Sequence, residues 1–375
     1  MSVQIYFFFF KQTKIKPQIH IFIPLLAGWA TKSSSSVGQA LFSTYLCKST
    51  LHPAPLMPHP LVSIILTVHN RADRVAESLR SLLAQTYRPL EIIVVDNASS
   101  DDSKKMCQAT VQHWQTEHPD SALSIQLLDE MQRGASAARN CGLRAAHGQW
   151  VAFFDDDDTM SPDFAAEMLR AAHKNPNARW VVARTRMVFS DGRERVRDGW
   201  PFPTLTDHIL GCLISTQSFM AQRDLLLHIG GWDAALPCWN DYEIGVRLLL
   251  NGAPPAWCQG VFHRIYQHAD SITGEALVDK LPKIAQTLNS ISRTLNTHAA
   301  PYAAHVALAY RCAIVCGQLQ CTAAPELAQQ LHAATTPLRA PLSPLQRGLA
   351  RAFRWLSAQG IRGVWRAARW CLPND

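Results

Sequence analysis

Four consecutive carboxylates, Asp155, Asp156, Asp157 and Asp158, close the apolar run Trp150-Val151-Ala152-Phe153-Phe154. Adjacent like charges repel and raise one another's pKa, so a folded chain keeps such a cluster where a cation or a solvated surface offsets it. An apolar strand would deliver these side chains to its carboxyl end, where ligands bind in open α/β sheets. The chemistry this allows is that of a hard divalent cation. Mg²⁺ and ions like it take oxygen ligands, usually one or two protein carboxylates plus the phosphate oxygens of a substrate. The competing reading is a solvated acidic turn, because Asp158-Thr159-Met160-Ser161-Pro162-Asp163 also has the composition of a helix start.

The elements that would position such a site precede it. Leu61-Val62-Ser63-Ile64-Ile65-Leu66-Thr67-Val68-His69-Asn70 reads as a buried strand running into a polar turn. A helix follows, with Asn70 as its expected N-cap and Val75, Leu79, Leu82 and Leu83 on one face. Tyr87-Arg88-Pro89 breaks it, and Leu90-Glu91-Ile92-Ile93-Val94-Val95 forms a second strand that ends in Asp96-Asn97-Ala98-Ser99-Ser100-Asp101. This is a βαβ unit whose strands both terminate in small polar residues, as a parallel sheet with a ligand edge requires.

Further motifs stand in order along the chain: Arg133-Gly134-Ala135-Ser136-Ala137-Ala138-Arg139-Asn140-Cys141-Gly142, then Gly230-Gly231-Trp232-Asp233, Trp239-Asn240-Asp241-Tyr242-Glu243 and Tyr266-Gln267-His268-Ala269-Asp270-Ser271. With the two strand ends and the acidic run, they resemble glycosyltransferases of the family-2 type with the GT-A fold, over about residues 60–275. The resemblance implies an α/β fold, a Rossmann-like open sheet with helices on both faces, followed here by a mainly helical C-terminal extension. It also implies transfer of a sugar from a nucleotide-diphospho-sugar to the hydroxyl of a glycan or lipid-linked acceptor, as in polysaccharide biosynthesis at the cell envelope.

Carried onto this chain, the resemblance assigns the nucleotide-sugar to Thr67, His69, Asn70, Asp96, Asn97, Arg139, Asp155 and Asp156. Asp96 and Asn97 would hold the polar edge of a pyrimidine. Where the family often has a second aspartate this chain has Asn97, whose carbonyl accepts the same imide proton while its NH₂ adds donors that need partners. UDP-sugars are preferred and dTDP-sugars stay open. His69 would stack on the base, or else is a turn histidine bonded to nearby backbone. Asp157 is the expected metal ligand, Asp155 a contact to ribose or to metal-bound water, and His268 would complete the shell. An imidazole ligand favours Mn²⁺ over Mg²⁺, although an open oxygen site accepts either.

Asp241 is the candidate general base, placed after the Pro237 break at the start of an amphipathic helix. One base and one in-line displacement would invert the anomeric configuration, unlike the two-carboxylate retaining scheme. The bland alternative makes Asp241 only the N-cap of that helix. Two other functions compete. A nucleotidyltransferase would need a Gly-rich phosphate loop, which Thr67-Val68-His69-Asn70-Arg71 lacks. A non-catalytic sugar-nucleotide-binding protein would not need an intact Asp157, Asp241 and His268.

Charge divides the chain into three parts. Residues 1–56 hold five Lys and no acid, residues 280–375 hold eleven Lys plus Arg against two acids, and the total is +7, so the stretch between them is about seven units acidic. We therefore expect a non-globular extension over 1–56 with Met57 as the true start, a catalytic domain over 57–275 and a helical, basic region over 276–375. The positive excess is local and accompanies no nucleic-acid motif. In Leu345–Trp355 and Val364–Trp370, Arg recurs every three or four residues beside Trp, Leu and Phe. These helices either lie in the headgroup region of an anionic leaflet, giving peripheral contact with the inner face of the cell membrane, or fold back on the domain. No hydrophobic stretch is long enough to span a bilayer, which disfavours a polysaccharide-extruding synthase; the expected location is cytoplasmic. The ten cysteines form no metal-type pairs, and Cys312, Cys316 and Cys321 at near-helical spacing suggest core packing in a reducing compartment.

Overall fold

Strand β1 (Val62–Val68) is buried at every one of its seven residues, and so is β2 (Leu90–Asp96). A strand with no polar side must be covered on both faces. Ile64, Leu66, Ile92 and Val94 enter one apolar core while Ile65, Ile93 and Val95 enter another, as the two-residue period of a strand dictates. The computed structural model describes residues 59–197, 204–251, 254–267, 281–321, 325–339 and 341–373, and residues from His59 onward form one compact unit.

Helix α1 (Val75–Leu83) links β1 to β2, α2 (Ser103–Glu117) leads to β3 (Ser124–Asp129), and α3 (Ala135–Ala145) leads to β4 (Trp150–Asp155). Strands β3, β2, β1 and β4 lie side by side, all parallel. There follow β5 (Thr159–Met160), α4 (Phe164–Lys174), β6 (Trp180–Val188), β7 (Glu194–Arg197), α5 (Leu205–Gly211), a 3₁₀ turn (Thr216–Ser218), β8 (Phe219–Gln222), α6 (Arg223–His228), α7 (Asn240–Asn251) and β9 (Ala256–Tyr266). Beyond β4 the sheet turns mixed. β8 is antiparallel to both β4 and β6, and β9 runs parallel to β6. The parallel βαβ pattern therefore describes half the sheet. Helices α1, α2 and α4 cover one face, and α3, α6 and α7 cover the other.

The expected cap at Asn70 is not formed. Asn70 is left-handed (φ 52°), which Asn tolerates better than most residues, and α1 begins only after a turn closed by Arg74 N–H and Val75 N–H on the Arg71 carbonyl. The Asn70 side-chain oxygen accepts the Ser100 N–H instead, at 2.8 Å, and so ties the end of β1 to the loop after β2.

The C-terminal part contains α8 (Leu281–Thr297), α9 (Tyr302–Cys321), α10 (Pro325–Ala334), α11 (Pro344–Ala358) and α12 (Val364–Trp370). Helix α9 is apolar on nearly every side, as a helix enclosed by others must be. Its core takes in Phe353, Val364 and Ala368 from α11 and α12, and Ile209, Leu210, Tyr242 and Val246 from α5 and α7. The basic helices thus fold back on the protein through one face and share a core with the segment that carries Asp241. Cys312 and Cys316 are buried in it; Cys321 is exposed, so the expected core role holds for two of the three. Among the described residues no helix is long and apolar enough to cross a membrane.

His208 fastens α5 to α7. Its Nε2–H donates to the Tyr242 carbonyl at 2.9 Å and its Nδ1 accepts the Ile214 N–H at 3.2 Å, which requires the neutral ring. Burial, reinforced by Arg197 and Arg311, pushes its pKa down to about 4. In the unfolded chain the value returns to about 6.5. Between the two values the unfolded state binds the extra proton, so stability present above pH 6.5 is lost as pH falls towards 4. Denaturant melts of His208→Gln should show a shallower loss of stability between pH 6.5 and 5 than wild type, by up to about 1.4 kcal/mol per pH unit. Equal slopes would mean that the ring is not held neutral.

Candidate active site

The parallel register brings the chemistry to one edge. Val68 pairs with Asp96, Thr67 with Asp155, and Asp96 with Asp129, so the last residues of β1, β2, β3 and β4 form a row at their carboxyl ends. Thr67 is buried within this row, between Val95 and Asp155.

Asp96 and Asn97 stand side by side at the end of β2 with different surroundings. Asp96 is 9% exposed; its Oδ2 accepts the Ser99 N–H at 3.2 Å, while its Oδ1 is buried with no hydrogen-bond partner. A buried carboxylate oxygen without a donor is costly unless a ligand supplies one. Asn97 is fully engaged as a donor: its Nδ2 gives hydrogens to the carbonyls of Glu130 and Gln132 at 3.0 and 2.8 Å, and its Oδ1 accepts the Gly134 N–H at 2.8 Å. The amide that would have to be satisfied beside a base is satisfied by the loop leading into α3. His69 is exposed, its Nδ1–H bonded to the Asn97 carbonyl at 2.7 Å and its backbone N–H to Asp156 Oδ2 at 2.7 Å. The ring is therefore anchored to backbone, as a turn histidine is, while the residue stays exposed.

The four aspartates separate by environment. Asp155 meets Arg139 Nη2 at 2.8 Å and Gln217 Nε2 at 3.2 Å. Asp158 is buried, accepting the Tyr266 N–H at 2.8 Å and a second bond from the same Gln217 amide. Asp156 and Asp157 lie 3.9 and 3.8 Å from Arg71 Nε. Burial first, then the charges of Asp157 and Asp155, push the Asp156 carboxyl up to about 8. Burial and the same two neighbours hold Asp158 well above the usual carboxylate range. The cluster thus holds more carboxyl groups than Arg71 and Arg139 can keep ionised. The carboxylates of Asp156 and Asp157, which face the same Arg71 guanidinium, could meet an incoming cation. An all-oxygen set fits a hard divalent ion. Among the described residues no three His, Cys, Asp or Glu side chains close into a metal cage, and His268 lies outside the described residues. A cleft of about 360 Å³ borders the cluster, lined among others by Arg74, Asp157, Asp158, Phe189 and Tyr266.

The other wall comes from the segment before α7. Arg139 is 5% exposed, with its guanidinium 4.5 Å above the Trp232 ring and its Nη1 3.4 Å from Asn240 Oδ1. Asn140 fixes the Trp232 backbone twice, accepting its N–H at 2.8 Å and donating to its carbonyl at 2.7 Å. Gly231 is obligatory here: its φ is 65°, and a Cβ would sit 2.6 Å from Asn140 Oδ1. Glu243 holds Arg247 through paired bonds of 2.6 and 2.7 Å, and Arg247 reaches the Ile229 and Gly231 carbonyls, both at 2.6 Å. These contacts lock Gly230–Trp232 against α7. Asp241 is the second residue of α7 rather than its cap; it is half-buried, its Oδ1 accepting the Tyr242 N–H at 2.8 Å. Burial raises its pKa, with Arg197 the largest opposing influence, followed by the Tyr242 N–H and Arg139, and it senses Asp155. Asp241, Arg139 and Asp155 therefore belong to one electrostatic centre.

Two residues of this centre escaped the sequence reading. Arg71 follows Asn70 directly, but only the turn after β1 aims it at the acidic run. Gln217 is buried and comes from the 3₁₀ turn before β8, 59 positions after Asp158. Nothing in Thr216-Gln217-Ser218 carries a recognisable pattern.

Residues 63–225 match the profile of Glycosyl transferase family 2. Over 143 residues the chain is 32% identical to the succinoglycan biosynthesis protein ExoO of Rhizobium meliloti, covering 38% of each protein. Over 98 residues it is 37% identical to WfaP of Escherichia coli, a UDP-Glc:alpha-D-GlcNAc-diphosphoundecaprenol beta-1,3-glucosyltransferase, covering 26% of this chain and 36% of WfaP. The chain spans 38% of ExoO and 62% of an uncharacterised Haemophilus influenzae glycosyltransferase, less than two thirds of these relatives. In architecture it is similar to S. aureus TarS 1–349 solved with UDP-GlcNAc, with a TM-score of 0.57 at 17% identity, covering 84% of this chain and 93% of TarS 1–349.

Proposed function

From the match of residues 63–225 to the Glycosyl transferase family 2 profile and the likeness of fold to S. aureus TarS 1–349, we propose that the protein is an inverting, metal-dependent glycosyltransferase that moves a sugar from a UDP-sugar to a hydroxyl of a glycan or lipid-linked acceptor. The observation that carries this reading is the chain of contacts from Asp155 to Arg139 and from Arg139 to Asn240, the residue before Asp241, which joins a donor edge to an acceptor wall. WfaP, which acts on a diphosphoundecaprenol-linked sugar by its name, supports a lipid-linked acceptor and work at the inner face of a cell membrane. The UDP-GlcNAc bound by TarS supports a uridine donor.

In this mechanism Asp96 Oδ1, buried and lacking a donor, accepts the base imide N–H. Asn97 shapes the floor of the slot by holding Glu130–Gly134, and the exposed His69 ring stacks on the base. Asp155, oriented by Arg139 and Gln217, faces the ribose. Asp156 and Asp157 would hold Mn²⁺ or Mg²⁺, which when bound offsets the charge that develops on the departing diphosphate. Asp241 takes the proton of the acceptor hydroxyl as it attacks the anomeric carbon from the side opposite the leaving group. A single carboxylate on the acceptor side gives one displacement and inversion.

The test is a panel of UDP-, dTDP- and GDP-sugars with Mn²⁺, read by thermal stabilisation and by release of the nucleoside diphosphate. UDP-sugars should stabilise the protein and turn over. Stabilisation without any turnover would favour a sugar-nucleotide-binding protein, and silence across the panel would remove the reading.

A further inference from the structure

Helices α11 and α12 bury one apolar face and expose another. Ala350, Phe353, Val364 and Ala368 are enclosed in the core around α9, while Leu345 is 74%, Trp355 62%, Ile361 49% and Trp370 86% exposed. Along α11, Leu345, Gly348, Ala352 and Trp355 recur at spacings of three and four, which places them in one stripe on the outer side. Arg347 and Arg351 are exposed beside it, and on α12 Arg366 and Ala367 are exposed beside Trp370. Large exposed aromatic side chains on two neighbouring helices exceed the scattered surface apolar residues of an ordinary domain.

The charge of the segment selects the occupant. Residues 341–373 contain six arginines and no aspartate or glutamate. A second copy of this chain meeting the same face about a twofold axis would set these arginines against one another with no acid from the segment to pair them. An anionic bilayer answers both features: indole rings settle at headgroup depth, and the arginines beside them meet lipid phosphate. We propose that the exposed sides of α11 and α12, carrying Leu345, Trp355 and Trp370, dock on an anionic lipid surface. The inner face holds the helices to the protein at the same time. Arg369 of α12 pairs with the buried Asp207 of α5, and His208 ties α5 to α7, the helix of Asp241. A bilayer bound there is thereby coupled through rigid packing to the acceptor wall. The proposal deepens the reading of a lipid-linked acceptor and rests on it only for what the bound enzyme would do there.

The test is co-sedimentation of the full chain with phosphatidylglycerol-containing vesicles and with phosphatidylcholine vesicles at low salt. It compares wild type with Trp355→Ala/Trp370→Ala and with Arg351→Glu/Arg366→Glu, each checked by circular dichroism melting and by UDP-sugar stabilisation. Wild type should pellet with the anionic vesicles alone, and each double variant should lose about tenfold in partitioning, since every Lys or Arg near such a surface adds substantially to attraction. Because the segment 1–58 stays the same in all three proteins, the difference reports on α11 and α12. Unchanged pelleting of both variants, or wild type left in the supernatant, would overturn the proposal. So would a Trp-dependent dimer on sizing without vesicle binding. Vesicle binding that follows the variants while no sugar nucleotide stabilises any of them would support this surface and strike the transferase reading instead.

Discussion

Asp241→Asn should cut sugar transfer by about a hundredfold or more while leaving donor binding within about twofold, because the substitution removes proton abstraction and keeps size and shape. The geometry makes this a discriminating change. Asp241 Oδ1 accepts the Tyr242 N–H, a bond that an Asn carbonyl oxygen also makes, so the start of α7 keeps its local hydrogen bonding. The charge contributed to Arg139 and Arg197 is lost, yet Arg139 retains Asp155 and its place above Trp232. The pH profile supplies a second readout. Burial holds the Asp241 carboxyl above its ordinary value near 4, and only the deprotonated form can act as a base. Transfer by wild type should therefore fall on the acid side at a higher pH than an exposed carboxylate would give, and Asp241→Asn should lack that limb. Equal collapse of donor affinity and transfer would make Asp241 a binding residue.

What could be read from the chain and what could not follows from range of interaction. β1, β2 and β4 were legible because strands covered on both faces must be apolar throughout, and their polar ends were legible because the next residue leaves the sheet. The parallel register then aligned Thr67, Asp96 and Asp155 without further assumption. Asn70 misled because Asn serves equally as a helix cap and as a left-handed residue, and the choice was made by Ser99 and Ser100, some thirty positions away. Asn97 was identified as a site residue, but its partners, Glu130, Gln132 and Gly134, depend on how the loop before α3 returns. Gln217 was invisible for the same reason: its amide matters only because β8 pairs antiparallel with β4 and brings the 3₁₀ turn beneath Asp155 and Asp158. The basic helices allowed two readings as a sequence, packed or interfacial. The structure shows packing through Phe353 and Val364 and leaves Trp355 and Trp370 outside.

Asp157→Ala should abolish the stabilisation that Mn²⁺ adds to UDP-sugar binding and reduce turnover about a thousandfold or more, as expected when several kcal/mol of charge compensation in the transition state is lost. The same substitution should change the stability of the metal-free protein little. Asp157 raises the pKa of both Asp156 and Asp158 through repulsion and also faces Arg71 at 3.8 Å, so its removal relieves crowding and loses an ion pair at once. The metal increment should vanish while the metal-free melt stays nearly unchanged, which separates a ligand from a structural residue. A structural aspartate would lower the melting temperature without metal and leave the metal increment in place. Thermal melts with and without Mn²⁺ and UDP, beside turnover in the presence of a chelator, decide between them. Full wild-type turnover in chelator would remove the metal from the mechanism and leave Arg71 and Arg139 as the charges available to meet the departing diphosphate.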